Sequence, residues 1–394
     1  MTGSHTVAGN QLTLLQNGAA FFPQLCADID AAQHSIYLET YIFAADESGR
    51  MVSAALRRAA ARGVAVRVLL DGFGSAELPK HWVDELRGAE IEVQLYRREI
   101  SPFTLRRSRK RRLLRLHRKL AAIDGEVAFV GGINIINDVS ENSNFTMPRL
   151  DYTVRVQGTV AGEIHAAMRH LWGVVSWASL RRRGKEIEHF VFQKAKRAAA
   201  PAITFLLRDN LRHRRDIERA YLKALAGAQH EIIIASAYFL PGRVFRRALL
   251  HAAQRGVRIM LLLQGKAEYR LQHYATHALY DRLLAAGIEI HEYQTSYLHA
   301  KVAVVDGQWA TVGSSNIDPF SLLLAREANL AILDAGFAGE LRANLLAAIS
   351  GDSVRVGDEY GRRRHFLGRL VARLSYGVVR LLIGMSGYRG RGSS

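Results

Sequence analysis

A chain of 394 residues, 49% apolar and 23% charged, has the size and composition of a globular protein with room for two ordinary domains, which argues against a disordered or fibrous chain. A formal net charge of +18 calls for an anionic partner, whether nucleic acid, an anionic bilayer or a phosphate-bearing substrate. The single cysteine, Cys26, excludes an internal disulfide and a thiolate metal site; there is no apolar run of about 18 residues to span a membrane, and the polar opening MTGSHTVAGNQ lacks the core of a signal peptide.

The first half opens with AAFFPQLCADIDAAQHSIYLETYIF, from Ala19 to Phe43, which reads as an amphipathic helix, an Ala-Gln-His joint and a buried strand. That strand carries Glu39, a carboxylate in an otherwise apolar run; an unpaired buried charge is costly, so a site role is expected. LRRAAARGVAVRVLLDG (Leu56–Gly72) reads as a helix, an Arg-Gly stop and an aliphatic strand, and GAEIEVQLY adds a short strand. Arg106 to Lys119 then holds nine Arg or Lys among leucines rather than aromatics, closer to a membrane-surface segment than to a single-strand nucleic-acid binder.

The run ends in His117-x-Lys119-x-x-x-x-Asp124, followed after six residues by Gly131-Gly132-Ile133-Asn134. In an extended segment His117 and Lys119 share one face. Asp124 sits in Ile-Asp-Gly between aliphatic runs, a hairpin-turn signal, so fixing the turn is the preferred role and direct catalysis the lesser one. Asp151, in RLDYTVRVQG, is the candidate acceptor that would orient a histidine. A basic, mixed stretch from about 181 to 204 reads as a linker.

The second half repeats the first: IERAYLKALAGAQHEIIIASAYFLP, then LLHAAQRGVRIMLLLQG, then AGIEIHEYQ. The motif returns with identical spacing as His299, Lys301 and Asp306, closing on Gly313-Ser314-Ser315-Asn316, with Glu327 as the second orienting carboxylate. From Arg362 to Tyr388 the arginines 362, 369, 373 and 380 fall within roughly 40° on a helical wheel, with most aliphatics opposite, as in a helix lying on a bilayer. Strand and helix alternation predicts an α/β fold of two duplicated lobes, each a mostly parallel sheet flanked by helices and related by a pseudo-two-fold axis. The expected divisions are 1–180, a linker at 181–204, 205–350 and a basic tail at 351–394.

Two histidines and two lysines, doubled in this way, predict metal-free attack on a phosphodiester. One imidazole attacks phosphorus and the other protonates the departing oxygen; His117 is the preferred nucleophile. Asn134 and Asn316 would donate to phosphoryl oxygens. No metal or other cofactor is expected.

The doubled His-x-Lys-x4-Asp with its small-residue turn resembles the phospholipase D superfamily. YLETYIFAADESG, ARGVAVRVLLDGFGS, SAYFLPGRV and SNIDPFSLLLAREANL resemble bacterial cardiolipin synthases, of the shorter type without N-terminal membrane spans, over nearly the whole chain. All six motif positions match; the departure is Gly132, where the second copy has Ser314. The resemblance implies transfer of a phosphatidyl group, with phosphatidylglycerol as donor and a second phospholipid as acceptor, by a peripheral enzyme on the cytoplasmic face of the bacterial membrane and without nucleic acid as partner. A nuclease of the same superfamily fits the motifs and charge but not the amphipathic tail. A non-catalytic binder of anionic lipid would not need the paired motifs.

Overall fold

The structure is a computed structural model that describes residues 3–96, 115–139, 147–181, 201–209, 213–266, 270–318, 321, 325–357 and, singly, 374, 375 and 377. Most of the basic run, most of the linker and nearly all of the amphipathic tail lie outside the described residues.

The first lobe runs β1 (Ser4–Val7), β2 (Asn10–Gln16), α1 (Asn17–Ala31), β3 (Ser35–Thr40), α2 (Glu47–Ala61), β4 (Ala65–Asp71), α3 (Lys80–Gly88), β5 (Glu92–Tyr96), β6 (Lys119–Ile123), β7 (Val127–Gly131), β8 (Tyr152–Gln157) and α4 (Thr159–Arg181). The second runs β9 (Ile203–Arg208), α5 (Asp216–Gly227), β10 (Glu231–Ser236), α6 (Arg243–Gln254), β11 (Arg258–Gln264), α7 (Arg270–His277), α8 (Tyr280–Leu284), β12 (Glu289–Tyr293), β13 (Lys301–Val305), β14 (Trp309–Gly313), β15 (Glu327–Leu333), α9 (Ala335–Asp352) and β16 (Ser353–Arg355). The second lobe therefore begins before residue 205 and continues past 350.

Each lobe is built on an eight-stranded sheet, ordered β1-β2-β8-β7-β6-β3-β4-β5 and β16-β12-β11-β10-β13-β14-β15-β9. The expected mostly parallel sheets are mixed. Only β3-β4-β5 and β10-β11-β12 are parallel, and the remaining pairings are antiparallel. The helix-to-strand joints lie where the sequence places them, and they form the parallel part. The antiparallel part follows from the Asp-Gly pairs: Asp124 and Asp306 have φ of 53° and 52°, and Gly125 and Gly307 have 73° and 62°. Positive φ at both central residues turns the chain straight back on itself.

The Arg-Gly stops behave alike. Gly63 and Gly256 have φ of 87° and 86°, a left-handed conformation that ends α2 and α6 and turns the chain into β4 and β11. Asp46 caps α2 by accepting from the Gly49 N–H at 2.9 Å.

Period-two alternation sorts each strand between two cores. Leu38 and Val68 pack outward against α1–α3, and Ile234 and Leu261 pack outward against α5–α8. The inward faces, with Val154, Leu120, Val302 and Leu330, share one core with Ile164 and Met168 of α4 and Phe337 and Leu341 of α9. The lobes thus meet face to face over a common apolar core. Each fully buried leucine there stabilises by roughly 1.5–3 kcal/mol relative to exposure.

Candidate active site

Both motif histidines precede a strand, β6 or β13, at the edge where β3 and β10 end. Two short parallel bridges, Leu116–Arg326 and Leu150–Leu298, stitch the lobes together there. The His117 N–H donates to the Arg326 carbonyl at 3.0 Å, and the His299 N–H donates to the Leu150 carbonyl at 2.9 Å. Arg326 and Leu150 are the residues just before Glu327 and Asp151. Each histidine is therefore tied, by its own backbone, to the segment of the other lobe that carries a carboxylate.

The side chains complete a crossed arrangement. His117 Nδ1 lies 3.0 and 3.1 Å from the two oxygens of Glu327, and His299 Nδ1 lies 2.6 Å from Asp151 Oδ2. With Nδ1–H donated to a carboxylate, Nε2 carries the lone pair. The histidine side chains stay 18% and 20% exposed, whereas Glu327 and Asp151 are 0% and 6% exposed. Both imidazoles can thus meet a substrate while their carboxylates cannot.

Alternation brings Lys119 and Lys301 to the same faces as their histidines, both buried. Each ammonium donates back to its own histidine's carbonyl, Lys301 to His299 and Lys119 to His117, the latter at 2.6 Å. Burial pushes Lys119 down to about 7; Glu327 opposes this and Lys301 adds to it. Burial lowers His117 below the ordinary imidazole value against the pull of Glu327, and it takes His299 well below, helped by Lys301 and Lys119. Burial raises Asp151 to about 6. These shifts describe a site crowded with positive charge and shielded from water, a setting that favours an anion.

The turn after each motif differs between lobes. Ser314 Oγ donates to Glu327 Oε2 at 2.5 Å, so this hydroxyl holds the carboxylate. At Gly132 a Cβ would lie 2.2 Å from Asp151 Oδ1, so the shorter carboxylate occupies that room instead. The change from Ser to Gly therefore accompanies the change from Glu to Asp.

The other sequence candidates fall in different places. Asn134 is buried, and its Oδ1 accepts from the Ile42 N–H at 3.1 Å, which fixes the chain leaving β3. Asn316 is buried with its side-chain oxygen unpartnered.

Asp124 and Asp306 are not brought to the site. They lie at the far ends of β6 and β13, where each accepts three backbone N–H bonds. The donors are Gln33, His34 and Ser35 for Asp124, and Gln229, His230 and Glu231 for Asp306, at 2.7–2.8 Å. Burial alone would raise both carboxyls, but these bonds hold them below the ordinary value. They secure the Ala-Gln-His joint, which explains why that joint recurs with the motif.

Glu39 is also outside the site. It and Arg118 are each 3% exposed and lie 2.9 Å apart, without hydrogen-bond alignment, on the face of β6 opposite Lys119. Burial raises the Glu39 carboxyl against the lowering effect of Arg118.

Sequence reasoning missed Tyr41, whose ring meets His117 edge-on at 4.9 Å with the Lys119 ammonium 5.2 Å from its centre, and Arg149, which lowers His299. Neither has a counterpart in the other motif, and duplication was the signal being read.

The comparisons agree with this architecture. The family described as "Cardiolipin synthase, PLD-like domain" matches residues 25–172 and 221–348. Cardiolipin synthase B of Shigella flexneri is 40% identical over 348 residues, 88% of this chain and 82% of that protein. The same-named protein of Escherichia coli strain K12 is 39% identical over the same shares. Among solved structures, phosphatidylserine synthase of Haemophilus influenzae Rd KW20 superposes with a TM-score of 0.68, covering 95% of this chain and 94% of that one. At 12% identity this last likeness speaks for the fold alone.

Proposed function

This chain belongs to the family of phospholipase D-like cardiolipin synthases, and we propose that it joins two phospholipids through a phosphohistidine on His117. It is a phosphatidyltransferase that makes cardiolipin. The crossed pairing of His117 with Glu327 and His299 with Asp151 carries the mechanistic reading, because it aims two outward Nε2 atoms into one lysine-lined site.

Phosphatidylglycerol is the proposed donor. Its phosphodiester sits between Lys119 and Lys301, with Asn134 and Asn316 nearby, and the charge it brings raises the proton affinity of His299. His117 Nε2 forms the N–P bond as the P–O bond to glycerol breaks, and His299 gives its proton to the departing oxygen. His117 is the better nucleophile because both Glu327 oxygens face its Nδ1 and oppose the lowering of its basicity. In the second step the hydroxyl of another phospholipid loses its proton to His299 and attacks phosphorus, releasing His117 and cardiolipin. Water in that position would give phosphatidic acid instead, so exclusion of water decides between transfer and hydrolysis.

The enzyme acts on membrane lipid, and no described helix is long and apolar enough to cross a membrane. We place it peripherally on the cytoplasmic face, with the +18 charge facing anionic headgroups and nucleic acid not a partner. The test is a rapid quench with phosphatidylglycerol labelled in its phosphate. Wild type and His299→Ala should yield an acid-labile, base-stable phosphoprotein at His117; His117→Ala should yield none. Loss of the adduct only in His299→Ala would reverse the roles, and turnover by either variant at the wild-type rate would remove the mechanism.

A further inference from the structure

β4 ends at Asp71 and β11 at Gln264, equivalent positions in the two lobes. Both receive the backbone N–H of the residue before the motif histidine: Leu116 donates to Asp71 Oδ2 at 2.8 Å, and Leu298 donates to Gln264 Oε1 at 2.5 Å. The other Asp71 oxygen accepts from the Phe73 and Gly74 N–H groups at 2.9 and 3.0 Å. Gln264 differs. A peptide N–H only donates, so the atom facing Leu298 is the oxygen and the amide nitrogen is left over. That nitrogen is buried with no partner. Gln272 Oε1, on α7, is a second buried atom with no partner.

Both glutamines line one cavity of about 350 Å³, counted to its open mouth, together with Ala237, His273, Thr276 and Tyr280. The sequence explains why the space exists. Ala237 occupies the position that Tyr41 holds in the first lobe, where the ring fills the room beside His117 and Lys119. A methyl in place of that ring leaves the cavity unfilled where Gln264 holds Leu298, the residue before His299. Unpaired buried polar atoms are rare in native proteins, and two in one cavity mark a place built for something else to complete.

We infer that this cavity is a polyol subsite, which receives the glycerol hydroxyls of the departing group and then those of the incoming phosphatidylglycerol. A hydroxyl both donates and accepts, so an orphan amide donor and an orphan amide acceptor suit a polyol better than they suit an ion. Gln264 and Ala237 join the cavity to the residues on either side of His299, through the Leu298 N–H and the Ala300 carbonyl, and His299 is the group proposed to handle the glycerol proton. The inference rests on the phosphatidyl transfer proposed above.

The experiment uses phosphatidyl-p-nitrophenol in mixed micelles as donor, because its leaving group carries no polyol. Release of p-nitrophenol reports the first step. The ratio of phosphatidylglycerol to phosphatidic acid, as free glycerol is raised, reports polyol capture from bulk; repeating the assay with phosphatidylglycerol vesicles as acceptor reports capture of the lipid headgroup. Gln264→Glu keeps the acceptor for Leu298 and removes only the donor. Gln272→Met removes the second orphan, and Ala237→Tyr fills the cavity. In all three the concentration of glycerol giving half-maximal transfer should rise roughly tenfold or more, with product shifting to phosphatidic acid. Wild-type partitioning in variants that still release p-nitrophenol would overturn the subsite. No p-nitrophenol from wild type would instead overturn the transfer mechanism, and the subsite with it.

Discussion

On the inner face of the first sheet, Glu39 and Arg118 form a buried ion pair; at the equivalent positions of the second sheet stand Ala235 and Ala300. The same architecture is therefore completed once with charge and once with methyl groups. The comparison separates what the doubled fold requires from what one lobe adds. The histidines, the lysines and the hairpin aspartates keep their places in both lobes. Tyr41 and Ala237, Asp71 and Gln264, Gly132 and Ser314 do not, and all of these sit around the imidazoles. Divergence lies where the two histidines are proposed to do different work.

The sharpest probe of that division is the pair of carboxylates. Glu327→Gln and Asp151→Asn keep the volume but exchange an acceptor for an amide that can hold the wrong tautomer. Each should lower turnover roughly 10²-fold or more. If the roles differ as proposed, Glu327→Gln should slow formation of the phosphohistidine, and Asp151→Asn should slow its breakdown to cardiolipin more than its formation. Equal effects on both steps from both variants would erase the functional distinction between the lobes.

Next in size is the ion pair. Removing one partner of a buried pair costs about 3–5 kcal/mol, because the other charge is left stranded in the core. Glu39→Ala should destabilise the fold by that order in denaturant unfolding. The double variant Glu39→Ala/Arg118→Ala copies the second lobe and should recover much of the loss. Failure of the double variant to improve on the single one would mean that the pair positions Arg326, whose guanidinium donates to the Tyr96 hydroxyl at 3.0 Å just before Glu327.

A smaller effect concerns pH. The proposed attack by His117 needs a neutral imidazole, so on that mechanism activity falls as pH drops through its pKa. Burial places that pKa below the ordinary imidazole value of about 6.5, with Glu327 opposing the shift. The acidic limb of kcat/KM should therefore lie below pH ~6.5 and move further to acid in Glu327→Gln.

Much of this was legible in the sequence because duplication repeats what both lobes need. The helix, Arg-Gly stop and strand units fall where expected, and Asp151 and Glu327 stand out as carboxylates beginning equivalent strands. The pairings across the lobes were not legible. Nothing in the spacing says that His117 takes the carboxylate of the second lobe rather than its own, since the crossing arises only when the inner faces close over their common core. Glu39 misled for the same reason. Its partner is 79 positions away by numbering, and only the β3–β6 register brings Arg118 beside it. The mixed sheet escaped because helix-to-strand joints are strong signals, whereas strand direction at the lobe edge is set by pairings between distant segments.

The hairpin aspartates give the smallest effect and the one that should be the same in both lobes. Asp124 and Asp306 each hold three backbone N–H groups at the joint before β3 or β10, with matching distances. Replacing either by Asn keeps the shape but removes the charge that strengthens those bonds, a loss of roughly 1–3 kcal/mol. Both carboxyls have a lowered pKa in the fold, so their contribution is present above the unfolded value of about 3.9 and disappears as pH falls through the folded value. Asp124→Asn and Asp306→Asn should thus be less stable than wild type at pH 7 by similar amounts, and the gap should close in strong acid. Neither should change the rate of phosphohistidine formation, because neither carboxylate reaches the histidines. A large loss of that rate in one variant alone would place its aspartate in the chemistry and break the symmetry where it is expected to be most complete.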